Sequence, residues 1–209
     1  MTRFVHGLAL IVIPLWWMFH LLWNPSFVDV VSALAYKANP PQVAQSALTE
    51  AKSRALKIAM LGTTDVRDVV FTPNEVAHLN DVSTLYKPIA RVLNFLSACA
   101  WIVLLAFVLK KKSFVKSFQD SAFVYAGFVV LFFGFLLFFS IFFTQFHTIL
   151  FPQGNWEFPA DSLLIQTFPE LFWKLMVGLL LLLCAGVAGV YALLSLVGRQ
   201  SADNDESSR

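Results

Sequence analysis

The sequence predicts an all-α membrane protein in which four transmembrane helices carry an extracytoplasmic cap of mixed helix with possible short strands. Of its 209 residues, 58% are hydrophobic and only 13% are charged, whereas soluble domains carry about a quarter charged residues. The mean hydropathy is +0.70, and the apolar residues gather in blocks close to bilayer length. We therefore predict a multi-pass protein of the cell membrane, with residues 1–209 forming a single membrane domain.

The same composition disfavours three soluble classes of protein. The apolar excess disfavours a soluble enzyme. The formal net charge is only +2, and no Lys/Arg stripe carries interleaved aromatic residues, so nucleic acid is not an expected partner. The two cysteines, Cys99 and Cys184, lie inside apolar blocks, where thiols are usually buried and inert, and this disfavours a disulfide framework.

Four apolar stretches are long enough to cross about 30 Å of hydrocarbon as helices. Inside lipid every backbone polar group must be satisfied within the structure, which a helix achieves by itself. The alternation of apolar and polar residues that is typical of a membrane barrel is absent. The third stretch contains nine Phe and no charge. The predicted spans are approximately residues 4–23, 91–109, 122–144 and 171–198.

The distribution of lysines predicts the orientation of these spans. The densest cationic cluster, Lys110–Lys112 with Lys116, joins spans two and three. Because Lys and Arg concentrate in short cytoplasmic loops, this loop is expected in the cytoplasm. Both termini are then cytoplasmic, and segments 24–90 and 145–170 lie outside. The tail 199–209 is polar and rich in Ser and Asp, which predicts disorder.

The first outer segment begins with a predicted helix over about residues 40–61. Asn39 is suited to capping this helix, and Pro40 and Pro41 are suited to its first turn. Its apolar residues recur at helical spacing, which favours a structural brace packed on the membrane domain. Residues 65–71 follow as a possible short strand.

A second helix in this segment carries the first candidate functional residue. Thr72 can cap it, and Glu75 completes a capping box. His78 lies one turn further along, with Asp81 one turn beyond. Carboxylates three residues before and after a histidine can raise its pKa and fix its tautomer. Two interpretations stay open: a catalytic or ligand-binding His78, or a Glu75 that only caps and a His78 that only donates to a backbone carbonyl.

The second outer segment carries the other candidate residues. His147 follows the third span directly and should lie at the outer interface, either as a functional residue or as a member of the aromatic belt. Gly154 and Asn155 are typical of a tight turn. Trp156 is suited to anchoring at the interface, and Asp161 follows before the fourth span.

Metal binding is a competing use of the same side chains. His78, His147, Glu75 and Asp81 could provide a zinc site with three protein ligands and an open position. However, neither an H-E-x-x-H motif nor a pair of closely spaced cysteines occurs, so we predict no metal and no cofactor. A G-x-S-x-G elbow is also absent, and a covalent acyl-enzyme is therefore not the first choice.

Two histidine motifs resemble those of one known family. They are Glu75-x-x-His78-Leu79-x-Asp81-Val82 and Phe146-His147-x-x-Leu150-Phe151-x-x-Gly154-Asn155-Trp156-x-Phe158, followed by Phe168-Pro169-Glu170-x-Phe172-Trp173. With the order of spans, a long first outer segment and a short second one, they resemble the bacterial lipoprotein intramolecular transacylase family over nearly the whole chain. Leu79 stands where many relatives have Met.

The resemblance implies a membrane acyltransferase. Such an enzyme moves the sn-2 acyl chain of a diacylglyceryl lipoprotein to the α-amine of its N-terminal Cys, giving the lyso-form. The implied partners are the diacylated lipoprotein and membrane lipid. The implied catalytic pair is His78 and His147. From the pattern of residues around this pair, we expect the supporting residues to be Glu75, Asp81, Asn155, Gly154, Trp156 and Asp161.

Imidazole suits this chemistry, because an α-amine must lose a proton before or during its attack on an ester. We expect His78 to be the general base, positioned by Glu75 or Asp81, and His147 to be the donor or proton shuttle, although the reverse assignment is open. Donors to the oxyanion would be the second histidine, the Asn155 amide or a backbone N–H near Gly154.

Two further functions stay open at this point. The first is a non-enzymatic membrane scaffold or partner-binding protein, in which the two histidines need not be close. The second is a metal-dependent membrane hydrolase. The Phe-rich third span would line a groove for acyl chains or simply face lipid. The sequence does not predict the oligomeric state.

Overall fold

The computed structural model describes residues 2–63, 70–109 and 114–207, and within these ranges all regular structure is α-helical. The possible strand lies mostly outside the described residues, because only Val70 and Phe71 of it are described, and both are in a bend. The helices are α1 (Thr2–Leu22), α2 (Pro25–Ala38), α3 (Gln45–Leu61), α4 (Pro73–Leu109), α5 (Val115–Leu137), α6 (Phe139–Leu150), α7 (Leu163–Thr167) and α8 (Glu170–Ser207).

Four of these helices, α1, α4, α5 and α8, are long and apolar enough to cross a membrane. This confirms the predicted number of spans. In α4 the uncharged apolar stretch is residues 92–109, whereas the first half of the helix carries acidic and basic side chains. We therefore treat 92–109 as the spanning part of α4, and residues 73–91 as lying outside the hydrocarbon.

The helices contribute to two compact units. The first unit comprises Met1–His20, Val92–Gly134 and Gly178–Arg209. The second unit comprises Leu21–Arg91 and Phe135–Val177. The apolar part of α4 thus belongs to the first unit, and both candidate histidines belong to the second.

Two tyrosines of the first unit hydrogen-bond to backbone carbonyls of α1. Pro14 lies inside α1 and has no N–H, so the carbonyl of Leu10, four residues earlier, loses its helical partner. The hydroxyl of Tyr191 donates to this carbonyl at 2.9 Å. Tyr125, fully buried, donates to the carbonyl of Ile11 at 2.7 Å. In a membrane such side-chain donors make a proline within a helix tolerable.

The cysteines follow the prediction only in part. Cys184 is buried beside Met18 in the core of the first unit, as expected. Cys99 is free but exposed on α4, within the apolar stretch 92–109, so the expectation of a buried thiol is wrong there. A thiol facing hydrocarbon needs no protein partner, because it is a small hydrophobe with a weak S–H donor.

The core of the second unit is formed by α3, α4 and α7. The small side chains of Ala51 and Ala55 on α3 let this helix approach closely, and all the core members are buried. The core residues are Ala51, Ala55, Ile58, Ala59, Phe71, Val76, Leu79 and Leu164. This core fixes the first three turns of α4, on which His78 lies.

Helix α2 was not predicted. Because it occupies the residues up to Ala38, the helix that was expected to begin after Asn39 begins later. Asn24 caps α2 by accepting from the N–H of Phe27 at 3.2 Å. Asn39 ends α2, because the residue before a proline is disfavoured in the helical region and Pro40 cannot continue the ladder. Helix α3 then starts only at Gln45.

The third apolar stretch is two helices rather than one. Helix α5 ends at Leu137, and Phe138 has φ −117° and ψ 38°, outside the helical region. Helix α6 then runs from Phe139 to Leu150 and carries His147 in its last turn. The predicted boundary at residue 144 therefore differs from the observed end of the span at Leu137.

The expectation of a disordered tail over 199–209 is wrong for its described part, because α8 continues to Ser207. Extending an existing helix adds one hydrogen bond per residue without a new nucleation step, so polar residues can follow an apolar helix. The hydroxyl of Ser201 donates to the carbonyl of Val197, and Arg199 contacts Gln119 of α5.

Candidate active site

The two histidines singled out in the sequence lie side by side in the second unit. His78 belongs to α4 and His147 to α6, and their ring centroids are 6.1 Å apart with an interplanar angle of 30°. The ring of Phe151, only 3% exposed, lies 4.8 Å from the ring of His78 and 5.6 Å from that of His147. The structure thus brings together two imidazoles that are 69 residues apart in the chain.

His147 has a defined tautomer. Its Nδ1 lies 2.7 Å from the carbonyl oxygen of Phe143, one turn earlier on α6. Because a carbonyl oxygen only accepts, Nδ1 must carry the proton, and Nε2 of the neutral ring carries the lone pair. The rings of Phe143, Phe146 and Trp156 pack around His147 at centroid distances of 4.1, 5.3 and 4.9 Å. Nε2 of His147 is therefore available as a base.

His78 is more deeply buried than His147. The residue is 9% exposed, and the rings of Phe151 and Phe158 pack against its ring at centroid distances of 4.8 and 5.7 Å. Its Nδ1 is buried and, within the described part of the chain, has no hydrogen-bond partner. A buried polar atom without a partner is unusual in a folded protein and often marks a functional site.

Burial lowers the pKa of both histidines. It lowers the pKa of His78 to about 4; His147 acts in the same direction, and Asp81 opposes the change. Burial also lowers the pKa of His147, against the effect of the hydrogen bond to Phe143. The expected rise in the pKa of His78 is therefore wrong, because desolvation outweighs the nearby carboxylate. Both rings are neutral at pH 7.

This lowered pKa makes the stability of the protein sensitive to acid. Below pH 6.5 the unfolded chain protonates His78, whereas the folded protein does not until the pH approaches 4. The unfolded state then binds more protons, so the free energy of unfolding should fall with decreasing pH between about 6.5 and 4, by up to about 1.4 kcal/mol per pH unit. His78→Gln should remove this contribution.

The measurement is the thermal midpoint of the purified wild-type and His78→Gln proteins in detergent at several pH values from 4 to 7. Carboxylates titrate in the same range in both proteins, so the difference between the two curves isolates His78. Parallel curves would contradict the lowered pKa.

Glu75 does not position His78. It is 1% exposed, and its Oε2 accepts from both the N–H and the hydroxyl of Thr72, each at 2.8 Å. Its Oε1 accepts from the N–H of Leu164, at the start of α7, also at 2.8 Å. The predicted capping box at Thr72 is therefore present, and both carboxylate oxygens of Glu75 accept from groups other than His78. The same carboxylate also joins α7 to the N-terminus of α4.

Asp81 is likewise engaged away from His78. Its Oδ2 accepts from Nε2 of Gln153 at 2.7 Å and from Nδ2 of Asn155 at 2.6 Å. Gly154, between these two residues, has φ +76°, which favours glycine. The N–H of Gly154 donates to the carbonyl of Phe151 at 3.0 Å. Through these hydrogen bonds Asp81 connects the turn that follows α6 to α4, the helix that carries His78.

The hydrogen bonds of Gly154 and Asn155 make these residues less suitable as donors to the oxyanion than the sequence suggested. The N–H of Gly154 and one amide hydrogen of Asn155 are already committed to Phe151 and Asp81. Trp156 lies against the ring of His147, with the ring centroids 4.9 Å apart. Asp161 is exposed, and no described contact joins it to the histidine pair. Nδ1 of His78, by contrast, has no hydrogen-bond partner among the described residues.

Three features of the site were not found from the sequence. Phe151 contacts both imidazoles, the carbonyl of Phe143 sets the tautomer of His147, and Gln153 is the second partner of Asp81. Phe143 is hidden among many other Phe residues, and Phe151, although it belongs to the second histidine motif, carried no sign that its ring contacts both imidazoles. Gln153 had a detectable signal, since it adjoins the predicted turn at Gly154 and Asn155.

The described residues do not form the zinc site that was weighed as an alternative. In these ranges, no group of three or more His, Cys, Asp or Glu side chains is arranged to hold a metal ion. Glu75 and Asp81, two of the four proposed ligands, direct their carboxylates to hydrogen-bond donors instead.

Comparison with known families decides which one this chain belongs to. The family model described as "Lipoprotein intramolecular transacylase Lit" matches residues 46–173, more than half of the chain and both histidines. The chain belongs to this family. It is therefore an enzyme of the lipoprotein intramolecular transacylase family, as the two histidine motifs predicted.

A solved structure shows the same fold. It is the membrane integral lipoprotein intramolecular transacylase Lit from Bacillus cereus, determined in meso. The match has a TM-score of 0.69 at 15% sequence identity and covers 97% of this chain and 96% of that chain. Comparison with curated protein sequences gives no match. The shared fold and the four apolar helices identify this transacylase as a multi-pass membrane protein.

Proposed function

We propose that this transacylase moves the sn-2 acyl chain of a diacylglyceryl lipoprotein to the α-amine of the N-terminal Cys of the same molecule, giving the lyso-form. The observation that carries the proposal is the pair of neutral imidazoles: half-buried His147, whose Nε2 carries the lone pair, and buried His78, whose Nδ1 has no hydrogen-bond partner among the described residues. Attacking group and ester belong to one substrate, so holding them together supplies proximity without an acyl-enzyme.

His147 acts as the base in this scheme. The α-amine nitrogen attacks the ester carbonyl, and a C–N bond forms while the carbonyl oxygen becomes an oxyanion. The attacking nitrogen becomes positively charged and strongly acidic, so even an imidazole of lowered pKa can take its proton on Nε2. The imidazolium then gives this proton to the glycerol oxygen as the C–O bond breaks. Its lowered pKa makes it a good acid for that second transfer.

His78 acts as the donor to the oxyanion. Its neutral ring carries one N–H, and its buried Nδ1 has no competing partner in the part of the chain that the structure describes. A preorganised donor in a site that excludes water stabilises developing negative charge far more than the same donor in water. The aromatic rings of Phe146 and Trp156 beside His147 offer apolar surface to the acyl chain.

The reaction takes place at the outer face of the membrane, with both termini in the cytoplasm. The support is the cationic cluster between spans two and three, of which Lys110–Lys112 lies outside the described residues and Lys116 lies in the first turn of α5. Short loops rich in lysine are retained in the cytoplasm. The lipoprotein substrate then approaches from the outer leaflet.

The test is mass spectrometry of lipoproteins from a bacterial host that makes diacylated lipoproteins and lacks this activity. Expression of the chain should convert the N-terminal Cys from the diacylglyceryl form to the N-acyl S-monoacylglyceryl form. The total mass is unchanged by the transfer, so fragment ions must locate the acyl group on nitrogen. Lipoproteins that stay fully diacylglyceryl despite membrane insertion of the chain would refute the proposal.

A further inference from the structure

Asn155 carries the second unpartnered polar atom of this site. Its Oδ1 is buried and, among the described residues, has no hydrogen-bond partner, whereas its Nδ2 donates to Asp81 at 2.6 Å. Leaving a buried carbonyl oxygen unpaired costs free energy, so such an atom calls for an explanation.

The orientation of this amide is fixed by its neighbour. A carboxylate only accepts, so the NH₂ group of Asn155 must face Asp81, and the oxygen must face away from it. Turning the amide over would place two oxygens together. Asp81 therefore holds the amide of Asn155 in the orientation in which Oδ1 faces away from Asp81 and accepts no hydrogen bond from the described residues.

This acceptor belongs to the surroundings of the histidine pair. Asp81 follows His78 by one turn of α4 and acts on its pKa. On the other side, Trp156, the residue after Asn155, packs against the ring of His147 at 4.9 Å. Asn155 is thus linked to α4, which carries His78, through its hydrogen bond to Asp81, and it adjoins Trp156, which contacts His147.

An acceptor without hydrogen atoms suits a ligand that donates. Among the reacting groups in the proposed function, the ester and the oxyanion only accept, and the α-amino group is the one that donates. We propose that Oδ1 of Asn155 accepts an N–H of the α-amino group of the substrate and so aims its nitrogen at the ester carbonyl. This inference rests on the proposed function and makes Asn155 a binding residue for the amine rather than a donor to the oxyanion.

Removal of Oδ1 of Asn155 should change which product the enzyme makes. With the amine no longer aimed, water competes for the ester carbonyl: the oxygen of water bonds to the acyl carbon, and the glycerol oxygen leaves with a proton. The products are a free fatty acid and a monoacyl lipopeptide whose α-amine stays unmodified. The ratio of N-acylation to hydrolysis therefore reports on aiming, which a loss of folded protein would not change.

The experiment uses the full chain, purified into lipid nanodiscs, with a synthetic diacylglyceryl-Cys peptide. Asn155→Ala should lower the rate of N-acylation by about tenfold or more and shift the product ratio toward free fatty acid. Gln153→Ala is the matched control, because it loses the other hydrogen bond to Asp81 and keeps the Asn155 amide. It should retain the wild-type product ratio.

A second measurement does not depend on the folding of a variant. The wild-type protein should bind the diacylglyceryl-Cys peptide more tightly than an analogue in which hydrogen replaces the α-amino group. Asn155→Ala, where it folds, should bind the two equally.

The outcomes separate the two proposals. No N-acyl product from the wild-type protein would overturn the proposed function and this inference with it. N-acyl product from the wild-type protein, with Asn155→Ala matching Gln153→Ala in product ratio, would overturn the inference alone. Equal binding of the peptide and its deamino analogue by the wild-type protein would also overturn it.

Discussion

His147→Ala should lower the rate of acyl transfer by a factor of about 10² to 10⁴, the usual contribution of a positioned base. The hydrogen bond from Nδ1 to the carbonyl of Phe143 leaves Nε2 with the lone pair, and the described ring neighbours of His147, apart from His78, are Phe and Trp side chains, which cannot act as bases. The measurement is the initial rate of N-acylation of a diacylglyceryl-Cys peptide by the purified variant.

His20→Ala is the matched control for this variant. His20 is another histidine near the end of a helix, but it belongs to the first unit, where its Nε2 lies 2.9 Å from Oδ1 of Asn94. Its removal should leave the rate within about twofold of wild type, because its exposed hydrogen bond is made to Asn94 of the same unit and contributes little free energy. A His147→Ala protein that folds and keeps the wild-type rate would remove His147 from the mechanism.

The features that the sequence predicted correctly depend on neighbouring residues. The four spans were predicted from long, uncharged apolar stretches, because a helix of about 20 apolar residues is long enough to cross the hydrocarbon of a bilayer. The start of α4 follows from Thr72 and Glu75, whose capping box involves residues only three positions apart. Both signals are complete within a short window, so no knowledge of the tertiary structure was needed.

The features that the sequence missed depend on the local backbone or on distant partners. The break at Phe138 lies in a run of Phe and Leu without a proline, so no residue type marks it. Helix α2 lies in a segment to which no element had been assigned. Its Tyr36 donates to the carbonyl of Thr167, and its Asp29 pairs with the buried Lys52 of α3. Neither partner can be inferred from spacing.

In the candidate site, too, the sequence missed the contacts that depend on distant partners. Spacing alone put Glu75 and Asp81 within reach of His78, yet both carboxylates hydrogen-bond elsewhere. Glu75 accepts from the backbone of Leu164, 89 residues away, and Asp81 accepts from the turn after α6. Spacing also gave no reason for His78 and His147 to meet; the family resemblance supplied that expectation, and the structure brings the rings together.

His78 is expected to differ from His147 in which substitutions it tolerates. His78→Ala should lower the rate of transfer by about 10²- to 10³-fold, the usual cost of one lost oxyanion donor. His78→Gln keeps an amide N–H in nearly the same volume and should recover part of that loss. His147→Gln supplies no base, and its rate should be as low as that of His147→Ala.

The double variant His78→Ala/His147→Ala tests whether the two imidazoles serve one transition state. Residues that act as a unit are not additive, so the double variant should be little slower than the slower single variant. Rate losses that multiply would mean that the two histidines contribute independently rather than as a unit. A glutamine that rescues position 147 but not position 78 would reverse the two roles. Thermal midpoints of all variants, measured at pH 7, where both rings are neutral, show whether any lost rate reflects lost fold instead.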